Sequence, residues 1–288
     1  MPHPFYMMPE YVLPIPRDAE SLRLDHQHHL FLRTIGGLSK APLNTSRQLR
    51  TLDIGCGNGN WATAFANQYP NAHILGLDIT FSPTWTSAPS NCAFRLVNVE
   101  DPETWSSLPE QYDFIHCRMI VAFVQDWPRL LTCCFNQLAP DGWLEIQDLQ
   151  FPIQCLGEVA DRSTCKTLQW SDCMVKAGQI VGLSPAALLQ VPYLLPRIGF
   201  HNVSLQDYQM IIGTWPEGEE DKELGRMGLE NVRLGARGWS QKLFVDVLGM
   251  NWQEHQKLAD EIYREGLERK VKAFLPLKVC MASKSREP

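Results

Sequence analysis

The run Leu52-Asp53-Ile54-Gly55-Cys56-Gly57-Asn58-Gly59 constrains this chain more than any other stretch, because an apolar strand breaks there into a turn of alternating glycines that opens a helix. Such a turn offers backbone amides to a small anionic or zwitterionic ligand. Asp53 lies two residues before the first glycine. Asp78 closes the next apolar run, Ile74-Leu75-Gly76-Leu77-Asp78, where a doubly wound sheet positions a ribose-binding carboxylate.

Spacing and charge narrow the ligand. A dinucleotide fingerprint runs G-x-G-x-x-G/A and rests pyrophosphate on the helix N-terminus. Here the glycines fall at 55, 57 and 59, and residue 60 is Asn. An acid beside the turn repels pyrophosphate, whereas Asp53 attracts the ammonium of an amino-acid tail, directly or through water. S-adenosylmethionine carries that ammonium and a ribose for Asp78. A glycine turn without any ligand is the plain alternative, and the two acidic partners argue against it.

Bulk properties exclude several classes. A chain of 288 residues buries roughly three quarters of its unfolded surface, enough for a large core without staples. The formal charge is -6, from 26 Lys plus Arg against 32 Asp plus Glu, and no basic run stands out, so phosphate neutralisation by clustered cations is disfavoured and no nucleic-acid partner is expected. Nine cysteines without a C-x-x-C pair read as reduced, buried thiols of a cytoplasmic protein. The N-terminus breaks its apolar character with Pro2, Pro4, Pro9 and Glu10, and no stretch of about eighteen apolar residues exists, so neither secretion nor membrane spanning is expected.

One domain over 1–288 is the expected organisation, with a lid over 1–40. A helix is predicted from an Asp18 N-cap through Phe31, stopped by Gly36-Gly37. The core alternates strand 49–55, helix 60–69, strand 73–79, strand 92–98, strand 112–118, helix 127–138 and strand 142–149, which argues for an α/β, doubly wound, mostly parallel sheet with helices on both faces. Beyond it come helices at 156–181 and 185–198, a strand at 202–212, a helical insertion at 217–270 and a strand from Ala273 to Met281, the two strands pairing antiparallel at the sheet edge.

In such a sheet the ligand lies beyond the carboxyl ends of the strands. The third strand ends Val97-Asn98-Val99-Glu100, where the Asn98 oxygen suits an adenine amino group and Val99 offers an amide and an apolar body. The fourth ends His116-Cys117-Arg118-Met119, where a backbone carbonyl suits the methionine ammonium. Arg118 is read as the partner of a structural acid ahead of a substrate carboxylate.

The glycine turn with Asp78, the run Tyr112-Asp113-Phe114-Ile115-His116-Cys117-Arg118 and the run Leu138-Ala139-Pro140-Asp141-Gly142-Trp143-Leu144-Glu145 resemble class I S-adenosylmethionine methyltransferases. Tyr11, Glu20-Ser21-Leu22-Arg23-Leu24, Gln27-His28, Asp126-Trp127-Pro128 and Thr214-Trp215-Pro216 are similar, more narrowly, to the LaeA-like methyltransferases of filamentous fungi, from about Tyr11 to Ser283. The resemblance implies a seven-stranded sheet with an antiparallel last strand and a helical cap over the substrate. It carries cofactor roles onto Asp53, Gly55, Gly57, Asp78, Asn98, Val99 and Cys117, and a lid role onto Tyr11 and His28. Tyr11, Cys56, Ile79 and Glu100 complete the expected cofactor set. Two departures stand out: Cys56 and Asn58 where the family commonly has threonines, and Asn98 where it commonly has Asp. Asn keeps an acceptor, so weaker or equal binding is expected rather than loss.

Methyl transfer is an in-line displacement at a sulfonium carbon, which asks for a nucleophile held about 3 Å from the methyl and for exclusion of water. His116 and His28 are the candidate bases, His116 being read as a core histidine bonded to a neighbour ahead of a base. The cluster His26-Gln27-His28-His29 lacks acidic or cysteine ligands at helical spacing, so no metal is assigned. Trp127, Gln147 and Trp215 are candidates to line a substrate pocket, with Trp239 and Trp252 readable as lining or as packing. Three functions stay open: a methyltransferase acting on an O, N or S nucleophile of a small secondary metabolite; a cofactor-binding cyclase or dehydratase that transfers no methyl; and a LaeA-like regulator acting through protein partners. A protein partner or a homo-oligomer is compatible with the sequence but not indicated by it.

Overall fold

A computed structural model describes residues 17–108, 111–121, 123–157, 163–182 and 187–286. In chain order the elements are α1 (Arg17–Ile35), β1 (Arg50–Ile54), α2 (Asn60–Gln68), β2 (His73–Asp78), β3 (Cys92–Leu96), α3 (Pro102–Ser106), β4 (Tyr112–Arg118), α4 (Trp127–Gln137), β5 (Leu138–Leu149), β6 (Gln154–Cys155), α5 (Lys166–Ile180), α6 (Val191–Ile198), β7 (His201–Ile212), α7 (Glu219–Gln241), α8 (Trp252–Leu267) and β8 (Ala273–Ser283). Two compact units emerge from the backbone contacts. The sheet unit takes the described residues of 35–148, 186–207 and 278–286; the helical unit takes those up to Thr34 and those of 149–185 and 208–277.

In the sheet unit the strand order is β3-β2-β1-β4-β5-β8, with β7 also paired to β8. The pairs β1/β2, β1/β4, β2/β3 and β4/β5 are parallel. Backbone bonds join Asp141 to Lys284 at one end of β5 and Gln150 to Pro276 at the other, so β5 and β8 run antiparallel. Side-chain bonds from Asn202 to Ser283 and from Lys278 to Asp207 show the same sense for β7 and β8. The α/β class and the antiparallel closing strands thus stand as expected. An eighth, two-residue strand, β6, was not foreseen from the sequence.

Strand residues alternate between the two faces of a sheet. On one face Leu52, Ile54, Ile115, Cys117, Leu144 and Ile146 form an apolar cluster with Leu130, Leu131 and Cys134 of α4 and Val191 and Leu195 of α6. Each fully buried aliphatic side chain there contributes about 1.5–3 kcal/mol relative to exposure. On the other face Phe114 and His116 meet Trp61 and Phe65 of α2, the Trp61 ring lying 3.7 Å from that of His116 and nearly parallel to it. The Asp126 carboxylate caps α4 by accepting from the Arg129 amide at 3.0 Å, and Pro128 sits in the first turn.

In the helical unit, β6 pairs antiparallel with the start of β8 through Gln154 and Phe274 and through Cys155 and Ala273. The helix expected over 156–181 begins only at Lys166. Its start is fixed from α8, since the Glu265 carboxylate accepts the amides of Lys166 and Thr167 at 3.0 and 2.9 Å and the Thr167 hydroxyl at 2.7 Å. Helix α1 is described from Arg17 and already contains Asp18, which is therefore within the helix rather than its cap, and it runs past Phe31 to Ile35. Two further differences are local. Residues 102–106 form an unexpected short helix, α3, capped by Asp101 on the Glu103 amide, and β5 starts at Leu138 instead of 142, with Asp141 inside it at φ +62°.

Candidate cofactor site

The turn after β1 is built by three glycines with positive φ: Gly55 at +69°, Gly57 at +56° and Gly59 at +82°. Only glycine takes that region without strain. Close approach adds a second reason, because a Cβ on Gly55 would come 2.5 Å from Ile120 Cγ2 and one on Gly59 would come 2.5 Å from the Phe94 ring. The amides of Gly55 and Cys56 both donate to the Leu77 carbonyl, at 2.8 and 3.0 Å, which ties the turn to the end of β2.

Asp78 stands opposite that turn. Its carboxylate accepts the Gly57 amide and the Thr80 amide, one on each oxygen, both at 2.8 Å. Burial pushes its pKa up, the two amides pull it back, and the Asp53 charge adds to the rise. Each oxygen keeps acceptor capacity, which suits the two hydroxyls of a ribose. The residue that follows, Ile79, is 55 % exposed, and Leu96 at the end of β3, in register with Asp78, is 59 % exposed.

At the end of β3 the Asn98 side-chain oxygen accepts the Glu100 amide at 2.9 Å, which uses one of its two lone pairs. The Asn98 and Val99 carbonyls are occupied by Thr104 Oγ1 and Trp105 Nε1, both at 2.7 Å. Helix α3 therefore fixes this loop. The Glu100 carboxylate accepts the Gln125 amide at 2.8 Å, and Val99 and Glu100 border a cavity of about 240 Å³ with Gln125, Asp126, Arg129 and Leu130.

Asp53 and His116 form a buried pair. Asp53 Oδ1 and His116 Nδ1 are 2.8 Å apart, and the residues are 2 % and 0 % exposed. Asp53 Oδ2 and His116 Nε2 have no hydrogen-bond partner among the described residues. A general base must reach a substrate proton, and a ring with no exposed surface, stacked on Trp61, does not. In this structure the His116 ring is enclosed in the core, bonded to Asp53 and stacked on Trp61. Cys117 faces the apolar cluster, where burial and then Cys134 raise its thiol well above the usual range, so only its backbone is available to a ligand. Burial, Asp53 and Asp78 likewise raise the Cys56 thiol.

The expected substrate residues are held by hydrogen bonds or by packing. Gln147 is wholly buried, its amide donating to the Leu38 carbonyl at 3.0 Å and to Glu145 at 2.7 Å. The Glu145 carboxylate in turn accepts the amides of Lys40 and Ala41 at 2.8 and 2.7 Å, and Trp61 Nε1 shares the Leu38 carbonyl, so segment 38–41 is bolted onto the sheet. Trp127 is buried in the apolar cluster. In the helical unit Trp215 Nε1 donates to the Ala273 carbonyl at 3.0 Å, and His28 is buried edge-on to His29. Trp252 is exposed at the start of α8. Tyr11 and the Trp239 side chain lie outside the described residues.

Sequence reasoning missed the buttress behind the turn. Trp85 Nε1 donates to the Gly57 carbonyl at 3.0 Å and Thr84 Oγ1 donates to the Asn58 carbonyl, while the Trp85 ring stacks on Phe94 at 5.0 Å. No spacing rule marks these residues, although Pro83 signals the turn that carries them. Among the described residues no His, Cys, Asp and Glu group gathers in a metal-binding cluster, and no helix is long and apolar enough to cross a membrane.

Comparison with known proteins points one way. Residues 26–205 match the model of a methyltransferase domain. The chain is 30 % identical to methyltransferase pytC of Aspergillus terreus, over 94 % of its own length and 83 % of the relative's. It is 30 % identical to the probable methyltransferase tdiE of Emericella nidulans (94 % and 84 % covered) and 29 % identical to the protein-methionine methyltransferase laeA of the same fungus (95 % and 72 % covered). In fold it is similar to phosphoethanolamine N-methyltransferase 2 of Haemonchus contortus, with a TM-score of 0.52 and 13 % identity, covering 91 % of this chain and about half, 53 %, of that one.

Proposed function

Because this chain belongs to the methyltransferase-domain family, we propose that it moves the methyl group of S-adenosylmethionine onto an O, N or S nucleophile of a small fungal secondary metabolite. The observation that carries the reading is the Gly55–Gly59 turn facing the Asp78 carboxylate, with Ile79 bare beside it. One observation fits that cofactor: a buried Asp53 oxygen lacks a hydrogen-bond partner among the described residues.

When bound, S-adenosylmethionine supplies an electrophilic methyl on a sulfonium, and the rest of the work is binding and exclusion of water. In this reading Asp78 accepts the ribose hydroxyls with the lone pairs that Gly57 and Thr80 leave open. Ile79 and Val99 would offer apolar contact to the adenine, and Asn98 would take its amino group on the second lone pair of Oδ1. Relatives named as methyltransferases favour transfer over a non-methylating cyclisation and over a purely regulatory role.

Titration calorimetry with S-adenosylhomocysteine tests the cofactor, and incubation with labelled S-adenosylmethionine and a panel of phenols, amines and thiols tests the transfer. Binding followed by label in a product of increased mass is the expected result. Failure to bind either form of the cofactor overturns the reading.

A further inference from the structure

A hydroxyl on an accessible loop of the sheet unit is wired to the glycine turn. Beyond β2 the chain reads Thr80-Phe81-Ser82-Pro83-Thr84-Trp85, and residues Pro83–Ser87 form a 3-10 turn. Ser82 stands just before it at φ −115° and ψ 133°, the extended backbone that a following proline ring favours. Phe81 is 50 % exposed, Pro83 and Thr84 are exposed, and Ser82 is partly so. An extended, accessible serine followed by proline is the form in which a proline-directed protein kinase takes its substrate.

Hydrogen bonds carry the state of that serine inward. Thr84 Oγ1 donates to the Asn58 carbonyl, which commits its single proton. In the 2.8 Å contact between the two hydroxyls Ser82 is therefore the donor and Thr84 the acceptor. Ser82, Thr84 and Asn58 thus form a relay from the loop to the turn. The other hydroxyls of the 3-10 turn bond within it: Thr86 and Ser87 donate to the carbonyls of Pro83 and Thr84, at 2.8 and 3.0 Å.

We propose that Ser82 is a phosphorylation site whose modification unhooks the glycine turn and so weakens cofactor binding; the second half rests on the cofactor reading above. The co-reactant is ATP, brought by a proline-directed serine/threonine kinase. Ser82 Oγ forms a bond to the γ-phosphorus, the bond from that phosphorus to the β–γ bridging oxygen breaks, ADP leaves with the electron pair, and the hydroxyl proton passes to solvent. The product carries a charge of about −1.5 to −2 and oxygens that accept strongly. Ser82 then no longer donates to Thr84, and the Thr84 proton gains a charged acceptor in competition with the Asn58 carbonyl. No Lys or Arg occurs from 51 to 94 to offset the charge, while Asp78 lies four residues back. The phosphate therefore loosens the loop instead of docking it.

The test treats the full chain with a mitogen-activated protein kinase and magnesium ATP and locates the phosphate by mass spectrometry. Three results are expected: phosphate on Ser82, faster hydrogen exchange of the amides of 55–60 than in the untreated chain, and S-adenosylhomocysteine bound roughly 10-fold more weakly in calorimetry. A phosphatase should restore both properties. Ser82→Ala keeps the chain's other Ser-Pro pair, Ser184-Pro185, and should show the same exchange and affinity with and without kinase. Phosphate confined to Ser184, or phosphate on Ser82 with unchanged exchange or unchanged affinity, overturns the proposal. If the untreated chain binds no S-adenosylhomocysteine, the cofactor reading falls, and exchange, which needs no ligand, still decides whether Ser82 controls the turn.

Discussion

In the sheet unit the groups that face the candidate ligand come from adjoining strand ends, and local rules account for them: three glycines at positive φ, an acid closing the next strand, an asparagine closing the third. In the helical unit the decisive contacts are long-range. Glu265 caps a helix that starts 99 residues earlier in the chain, and α7 rests on the end of β7 through Gly228, where a Cβ would stand 1.8 Å from the Ile211 carbonyl oxygen. On the proposed function, the first unit spends its irregular residues on binding geometry, while the second spends them on packing. Substitutions in one should therefore move affinity, and substitutions in the other should move stability.

The sharpest break of that contrast is Gly228→Ala. Its new methyl meets rigid backbone, so a destabilisation of about 3 kcal/mol is expected, at the upper end for overpacking, read as a drop in the urea midpoint. An unchanged midpoint would mean that α7 slides freely on β7. Next comes Asp78→Ala, which should cost S-adenosylhomocysteine roughly 10- to 100-fold in affinity for a much smaller change in the melting temperature. A larger loss of stability than of affinity would reverse the assignment of that carboxylate from ligand to scaffold.

Glu265→Gln is milder. It keeps one acceptor for the start of α5 and removes the charge, so about 1 kcal/mol of stability should go, seen by thermal melting, with cofactor affinity unaltered. Smallest are the pH effects, and they run through different observables. Burial depresses the pKa of His255, whose ring is held between Ser240 at 2.9 Å and Gln256 at 3.2 Å. The unfolded chain then takes up a proton first on acidification, so this contribution is whole above about pH 6.5 and drains as the pH falls toward the depressed folded value. His255→Gln should flatten the melting temperature between pH 7.5 and 5.5. Asp78 has the opposite shift: its raised pKa means that acid neutralises the ribose acceptor early, so nucleoside affinity is full near neutrality and falls as the pH drops through that value. Calorimetry across the same range checks it.

Much of the sheet unit was legible because periodicity and punctuation are local. The runs around Leu52, Leu77 and Ile115 alternate or bury as parallel strands do, and Asp126-Trp127-Pro128 writes out a helix start. Turn and carboxylate could be read together because both follow strands at fixed distances. What escaped was anything decided by a distant partner. The true start of α5 depends on Glu265, β6 exists only because β8 passes beside it, and Gln147 is withdrawn from the surface by segment 38–41. His116 shows the same limit: its residue type announces proton chemistry, and only the positions of Asp53 and Trp61 decide that it is enclosed.

The indole of Trp85 has a practical outcome. Its N–H holds the carbonyl of the central glycine, and its ring lies flat on Phe94, so any shift of the loop on ligand arrival is transmitted to a fluorophore already in place. Emission subtracted between the unaltered chain and Trp85→Phe would report, without a label, whether that loop is occupied.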